Sequence, residues 1–392
     1  MEDNILKKMA IRSTAFMVTV LMISTACKNY SDIAIFANEN KKTTTVETSP
    51  LDVENIDIEV NDIEVLSSMD GKVYNAAPDE ILSDKYILVK KPEDSGPTIS
   101  LEDLYMERSI KLTITGLKTE NLNYDNVIRM NNSDSFTGKP DNVLEDDIEI
   151  TKDFAKKIGI TYDHNIERDE FTATIKMELD TVYVYSLYQD SQYYYINLQR
   201  PKDVYDKLIV IDAGHGGYDV GTFPKDMSYL EKDMNLSMVL YLKQLLDSED
   251  IKVYYTRLTD VKPYLRPRVS LANDLDADLF ISIHCNGSNL IQPHGTEILY
   301  NEQWNRDGFS SKQLAEVCLE ELTKTIGLRN RGIVEGSEKY IVGHSKVPVA
   351  LIEVAYMTNP EDLEFLKNSD NRKLVAKGIY NGIMRYYEEY DK

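Results

Sequence analysis

From residue 207 onward the chain alternates short apolar runs with longer stretches of helical period. Leu208–Asp212 reads as a compact apolar strand. Glu231–Leu246 places apolar residues at 236, 239, 240 and 246 and predicts a helix. Lys252–Thr256 and Leu279–His284 read as strands, with a helix around Ser270–Asp274 between them. Thr296–Tyr300 is a further strand, Ser311–Ile326 a helix, Val349–Glu353 a strand and Asn371–Tyr387 a closing helix. This alternation predicts an α/β domain over 207–392, a mostly parallel sheet covered by helices on both faces. The upstream pattern is different. Short β-branched and aromatic runs (Ile110–Ile114, Phe171–Leu179, Val182–Tyr188 and Tyr193–Leu198) predict a smaller β-rich domain over 58–203. The last two runs flank Gln189-Asp190-Ser191-Gln192, a hairpin turn. The alternation in Val182-Tyr183-Val184-Tyr185 suggests a sheet with one apolar and one aromatic face.

The amino terminus carries a third pattern. Lys7, Lys8 and Arg12 precede an apolar run, Ser13–Ile23, and then the small residues Ser24, Thr25 and Ala26. Residues 1–26 therefore read as an export signal, too short for a span of about 20 apolar residues. Cys27 follows directly and resembles the lipid acceptor of a bacterial lipoprotein, although Ser24 stands where that pattern has Leu, Val or Ile. Both secretion and membrane attachment through the amino terminus fit, and either places the protein outside the cytoplasm. Residues 27–57 are polar and without period, as expected of a flexible linker.

Charge narrows the partners. The 392 residues carry 44 Lys and Arg against 66 Asp and Glu, a net charge of −22. Nucleic acid is excluded as a partner, since neutralising phosphates requires a basic face. The acidity is uneven, with 22 basic and 38 acidic residues upstream of 207 against 22 and 28 after it. Three cysteines make no disulfide framework, and no Cys-x-x-Cys pair is present.

The five histidines stand at 164, 215, 284, 294 and 344. Two of them fall with a carboxylate at one edge of the predicted sheet. His215 follows the first strand in Gly214-His215-Gly216-Gly217, His284 ends the strand Phe280–Ile283, and Glu353 ends Val349–Ile352. Sites in open α/β sheets form outside the carboxyl ends of the strands, so the three converge despite their separation. Each has a plain alternative: a simple turn at 214–217, a hydrogen-bonded core histidine, a capping glutamate. Two histidines and a carboxylate suit an open zinc site with a fourth position for water. No His-Glu-x-x-His is present, so the ligands would come from separate elements. Glu231 is a candidate third ligand. The string Ser228-Tyr229-Leu230-Glu231 equally fits a capping box, and from the residues alone the cap is slightly favoured.

Seven stretches in order, LIVIDAGHGGYDVG (208–221), LEKDMNL (230–236), YTRLTD (255–260), LRPRVSLAND (265–274), ADLFISIHCN (277–286), GTEILY (295–300) and ALIEVAYMTNPED (350–362), resemble the catalytic domain of the zinc-dependent N-acetylmuramoyl-L-alanine amidases. The resemblance covers 208–382. It implies Zn²⁺ held by His215, Glu231 and His284, with Glu353 as catalytic glutamate. The implied reaction is hydrolysis of the amide between the lactyl group of N-acetylmuramic acid and L-alanine in peptidoglycan, through a zinc-activated water. Ala213 replaces the usual Pro, and Tyr356 a common Phe; neither is a ligand position. Cys285 beside His284 faces the other way on its strand and is no nucleophile. Arg257, Asp260 and Arg268 match family positions and suit buried ion pairs. His294 and His344 read as loop residues, with His344 bordering the groove, and His164 as exposed.

Some relatives insert a long helix that plugs the zinc after the second histidine. Only Gly287–Phe309 spans that interval here, which predicts an open site with no activator protein. Residues 58–203 resemble, through TVYVYSLYQDSQYYYINLQRPKD (181–203), the AMIN domain that precedes many such enzymes. That implies wall targeting by stacking and hydrogen bonds; a structural or pro-domain role fits equally. The alternative from another class is a non-catalytic cell-wall-binding protein on an amidase scaffold.

Overall fold

Strand-forming runs upstream of residue 200 pair entirely antiparallel. The computed structural model describes residues 64–68, 85–93, 97–131, 154–303, 305–306 and 309–390; the expected export signal, Cys27 and the linker over 27–57 lie outside them. Nine strands come first: β1 Glu64–Ser68, β2 Lys85–Lys90, β3 Thr98–Leu104, β4 Ser109–Leu117, β5 Val127–Asn131, β6 Ala155–Asn165, β7 Glu170–Leu179, β8 Val184–Gln189 and β9 Tyr193–Gln199. They form two sheets, ordered β1-β8-β9-β2-β5 and β3-β4-β7-β6. Ile87, Val89, Leu187 and Ile196 from the first sheet and Leu112, Ile114, Ile175 and Met177 from the second share one core. This is a sandwich, the usual way to bury one face of each of two antiparallel sheets.

The β8–β9 hairpin turns where expected, with the Asp190 carboxylate accepting from the backbone N–H of Gln192 and Tyr193. The alternation over 182–185 sends the tyrosines and Val182 to different sides, but neither side is open. All of Val184–Gln189 is buried. Tyr183 and Tyr185 lie in the sandwich core, whereas Val182 packs into the following α/β unit. These rings cover no open sheet face.

A one-turn helix, α1 (Pro201–Val204), leads into the α/β unit. Its elements are β10 Leu208–Ala213, α2 Glu231–Leu246, β11 Lys252–Tyr255, α3 Leu265–Leu275, β12 Leu279–Asn286, β13 Thr296–Tyr300, the two-residue strands β14 Asn305–Arg306 and β15 Phe309–Ser310, α4 Ser311–Ile326, β16 Asn330–Glu335, α5 Tyr340–Gly343, β17 Val349–Tyr356, α6 Pro360–Lys367 and α7 Ser369–Tyr390. Six strands form one sheet in the order β11-β10-β12-β17-β13-β16. Only the β13–β17 pairing is antiparallel; the other four are parallel. Every residue of β10 is buried, as expected for a strand covered on both faces. One face packs against α2, α4 and α7 through residues such as Met238, Leu322 and Ile379, and the other against α3 and α5.

The helix boundaries follow local chemistry. The Ser310 hydroxyl accepts from the Gln313 N–H while the Gln313 side chain reaches back, and Gly327 at φ 73° closes α4 in the left-handed conformation. Asn359 caps α6, with Pro360 at its first position.

The sandwich and the α/β unit meet at the 3₁₀ turn Tyr105–Glu107. The Tyr105 hydroxyl donates to the Tyr255 carbonyl at 2.6 Å, and its ring meets Tyr254 edge-on at 5.1 Å. Arg108 pairs with Asp274 on α3, and Lys202 with Asp278 before β12. Among the described residues no helix is long and apolar enough to cross a membrane.

Candidate active site

Three strands of the sheet, β10, β12 and β17, bring their carboxyl ends together, and the polar residues predicted for that edge meet there. One ligand atom each from His215, Glu231 and His284 lies within 4.8 Å of the others. Glu231 Oε1 stands 3.2 Å from His215 Nε2 and 2.9 Å from His284 Nδ1. The two imidazole rings are 4.9 Å apart and nearly perpendicular, so both nitrogens face the carboxylate without stacking.

The backbone makes this approach possible. A Cβ on Gly214 would sit 2.3 Å from the His284 ring, and one on Gly221 would sit 2.4 Å from Glu231 Oε2. Both positions therefore require glycine. His215 itself has φ 61°, the left-handed region that non-glycine residues enter at some cost, and such strain collects at functional sites. Buried arginines hold the turn in that shape. Arg257 donates to the carbonyls of Ala213, Gly214 and Lys232, and Arg268 to those of Ala213 and His215. Asp260 accepts from the Gly217 N–H and from Lys232. Arg268 forms the expected buried ion pair, with Asp212, whereas Arg257 holds the turn through carbonyls and the exposed Asp260 pairs with Lys232.

The capping box expected as an alternative for Glu231 is not formed. Leu230 is the N-cap of α2 and makes no side-chain cap bond, and the Ser228 hydroxyl bonds to Asp226 instead. The Glu231 side chain turns inward. It accepts from the Thr222 N–H at 2.7 Å, the Cys285 N–H at 3.1 Å and the Asn235 amide at 3.3 Å. Burial opposes its ionisation, but the hydrogen bonds and charge of His215 and His284 outweigh it, holding the carboxylate well below its usual range. His215 is likewise pulled down by burial and pushed up further by Glu231 and Asp219, for a net rise.

Glu353 stands opposite His284 in the β12–β17 register, so the two side chains share a face of the sheet. Its Oε2 is shielded from solvent and has no hydrogen-bond partner. Burial, with the nearby charges of Glu231 and Glu297 added and those of His284 and His215 opposing, raises its pKa to about 7. A carboxyl group poised near neutrality suits proton transfer in either direction.

The donor set fits a metal. Two imidazoles and a carboxylate are the ligand types of an open zinc site, and the partnerless oxygen of Glu353 belongs to the residue paired with His284 in the β12–β17 register.

Three residues of the site are not legible in the sequence pattern. Asp219 bonds His215 Nδ1 at 2.9 Å and thereby directs Nε2 inward, an orienting role common around metal-binding histidines. Its position four residues after His215, in a loop, gives no periodic signal. Glu297 lies opposite Glu353 in the antiparallel β13–β17 pairing, and Arg331 on β16 bonds Glu297 at 2.9 Å. Only the sheet order brings these two to the site.

Other expectations resolve simply. Burial pushes the Cys285 thiol far up, which leaves it inert. His344 does not border the groove. It stacks on Tyr340 and its carbonyl accepts from Asn273 on α3, at the amino-terminal end of β17. His294 is half-buried, with Nδ1 against the Gln292 carbonyl, and His164 is exposed as expected, its ring stacked on Phe171. Between β12 and α4 the described residues hold no helix, in keeping with the short interval.

Comparison with known proteins follows the same residues. The family described as N-acetylmuramoyl-L-alanine amidase (Amidase_3) matches residues 209–385. The N-acetylmuramoyl-L-alanine amidase LytC of Bacillus subtilis is 33% identical over 189 residues, which are 48% of this chain and 37% of that protein. The germination-specific N-acetylmuramoyl-L-alanine amidase of the same organism is 30% identical over 197 residues, 47% of this chain and 81% of that protein. The catalytic domain of CwlV, an N-acetylmuramoyl-L-alanine amidase from Paenibacillus polymyxa, is 34% identical, with 46% of this chain and 98% of that chain covered and a TM-score of 0.43. This chain belongs to the N-acetylmuramoyl-L-alanine amidase family.

Proposed function

We propose that the protein hydrolyses the amide bond between the lactyl group of N-acetylmuramic acid and L-alanine in peptidoglycan. The observation that carries this reading is the group His215–Glu231–His284, with ligand atoms within 4.8 Å of one another, beside the partnerless carboxylate oxygen of Glu353. His215, Glu231 and His284 would hold Zn²⁺, with Asp219 fixing the His215 tautomer. Zinc bound there supplies Lewis acidity and lowers the pKa of water toward about 7. Glu353 takes a proton from the attacking water onto its free oxygen and returns it to the leaving alanine nitrogen. Its pKa near 7 lets one group serve as base and then acid.

In this reading residues 1–26 direct export, Cys27 is the lipid acceptor if the protein is anchored, and the enzyme works on the wall side of the membrane. The 58–203 unit positions the enzyme on the wall, and no activator protein is needed. The decisive experiment uses the purified, zinc-loaded full chain on purified cell wall. New alanine amino termini should appear. Glu353→Gln should keep its zinc and lose about 10²- to 10⁴-fold in rate. Full activity in that variant removes Glu353 from the mechanism. Wall binding without cleavage by the wild type would leave a binding protein.

A further inference from the structure

The two flanks of the site differ in kind. On the β10–β11 side, the loop after His215 and the loop before α3 expose a cluster of large side chains. Tyr218 is 74% exposed and Tyr264 67%, with Val261 and Leu265 each 53% exposed beside them. The Lys262 ammonium sits 4.4 Å from the Tyr218 ring centre and pairs with Asp219 at 3.2 Å. Asp219 is the residue that holds His215, so this aromatic pair adjoins the reaction centre directly. The Tyr264 hydroxyl is within hydrogen-bond reach of the Tyr218 phenol. Nothing in the packing of the described residues requires these rings, since neither is covered.

On the opposite flank the side chains are polar and tethered. Arg331 is held by Glu297 at 2.9 Å and lies 5.0 Å from the Tyr356 ring centre. Glu297 also accepts from Asn286 at 2.7 Å. The guanidinium is thus fixed in direction, with Nη1 donating to the His294 carbonyl at 3.4 Å, while the side chain stays 27% exposed. From β11 to β16 is five strand steps, about 24 Å, long enough for several residues of an extended substrate.

A substrate that joins a sugar polymer to a peptide must leave the scissile bond in two chemically different directions. Flat aromatic rings match the C–H faces of pyranose sugars, and a fixed guanidinium matches a peptide carboxylate. We propose that Tyr218 and Tyr264 form the saccharide subsite, taking the sugars that flank the cleaved residue along the glycan strand, with Arg331 at the peptide end. The inference rests on the amidase reading and adds a direction to it. Lys262 serves twice, supporting the Tyr218 ring from one side and Asp219 from the other.

The test compares the zinc-loaded full-length wild type with the double variant Tyr218→Ala/Tyr264→Ala on two substrates. One is polymeric wall, the other a monosaccharide N-acetylmuramoyl-peptide. Both rings are exposed, so their truncation leaves the fold in place. On polymeric wall KM should rise about ten-fold with little change in kcat, the effect of losing about 1.4 kcal/mol of binding. On the monosaccharide substrate the rise should stay below about two-fold, within about 0.4 kcal/mol. Glycan strands stripped of peptide should inhibit the wild type about ten-fold more strongly than the double variant. Free stem peptide should inhibit the two equally, and Arg331→Met should weaken that inhibition. Equal KM changes on both substrates, an unchanged KM on wall, or weaker peptide inhibition in the tyrosine variant would overturn the assignment. A wild type that releases alanine amino termini from neither substrate would instead sink the amidase reading, so the two failures are distinct.

Discussion

Two buried carboxylates sit in the same sheet, in neighbouring environments, with opposite fates. Asp212 on β10 is fully buried and fully partnered. Arg268 and Thr256 each bond its Oδ1 at 2.5 Å, and Ser282 bonds its Oδ2 at 2.6 Å. Burial alone would raise its pKa, but Arg268 and the two hydroxyls outweigh it and hold the group ionised. Glu353, two strands away, has a shielded oxygen with no partner and a pKa raised to about 7. One buried carboxylate is satisfied three times over and the other is left with an open oxygen. The first anchors, through Arg268, the turn that shapes His215; the second keeps an oxygen without a partner.

The largest test of this contrast removes the anchored charge. Asp212→Asn strands Arg268, itself buried, without its counter-ion, and should cost about 3–5 kcal/mol in denaturant unfolding. A loss below about 1 kcal/mol would place Asp212 among the dispensable pairs. The next test is pH dependence in protein stripped of metal. The Glu353 pKa is raised on folding, so its penalty is absent below the ordinary carboxylate range, grows as pH rises, and is complete above about 7. Glu353→Gln should therefore be more stable than wild type by roughly 3 kcal/mol at pH 8 and by almost nothing at pH 4. Asp212 carries the reverse sign. Its lowered pKa contributes stability above the ordinary carboxylate range that is lost as pH falls. Equal stabilities of wild type and Glu353→Gln at pH 8 would erase the contrast. The smallest effect belongs to Asp219→Asn, which frees the His215 ring and should weaken zinc binding about 10- to 100-fold in a chelator competition.

The α/β unit was the more legible half. Continuous apolar runs such as Leu208–Asp212 fit doubly covered strands, and the helices at 231–246 and 311–326 have the predicted boundaries, although no side-chain cap starts the first. The strand at 330–335 was missed because its side chains are half-buried or exposed and Gly332 sits at φ 93°, so it carries no apolar period. The sandwich strand at 155–165 is exposed along much of its length and escapes for the same reason. In the site, the histidines and Glu353 were legible because each follows an apolar run, although β12 and β17 continue past the predicted ends to Asn286 and Tyr356. Glu297 and Arg331 were not, since an antiparallel β13 inserted between parallel neighbours is a tertiary fact with no local signature. Asp219 depends on the left-handed turn at His215, which a sequence pattern does not display.

The seam at Tyr105 has a practical corollary. Val182 packs with Leu208, Val210 and Tyr254 in one apolar cluster, with Tyr105 and Met106 against it. A fragment starting at residue 207 would shed that cover and bare a greasy scar, inviting self-association. For anyone trimming the gene, the clean cut lies upstream of the sandwich.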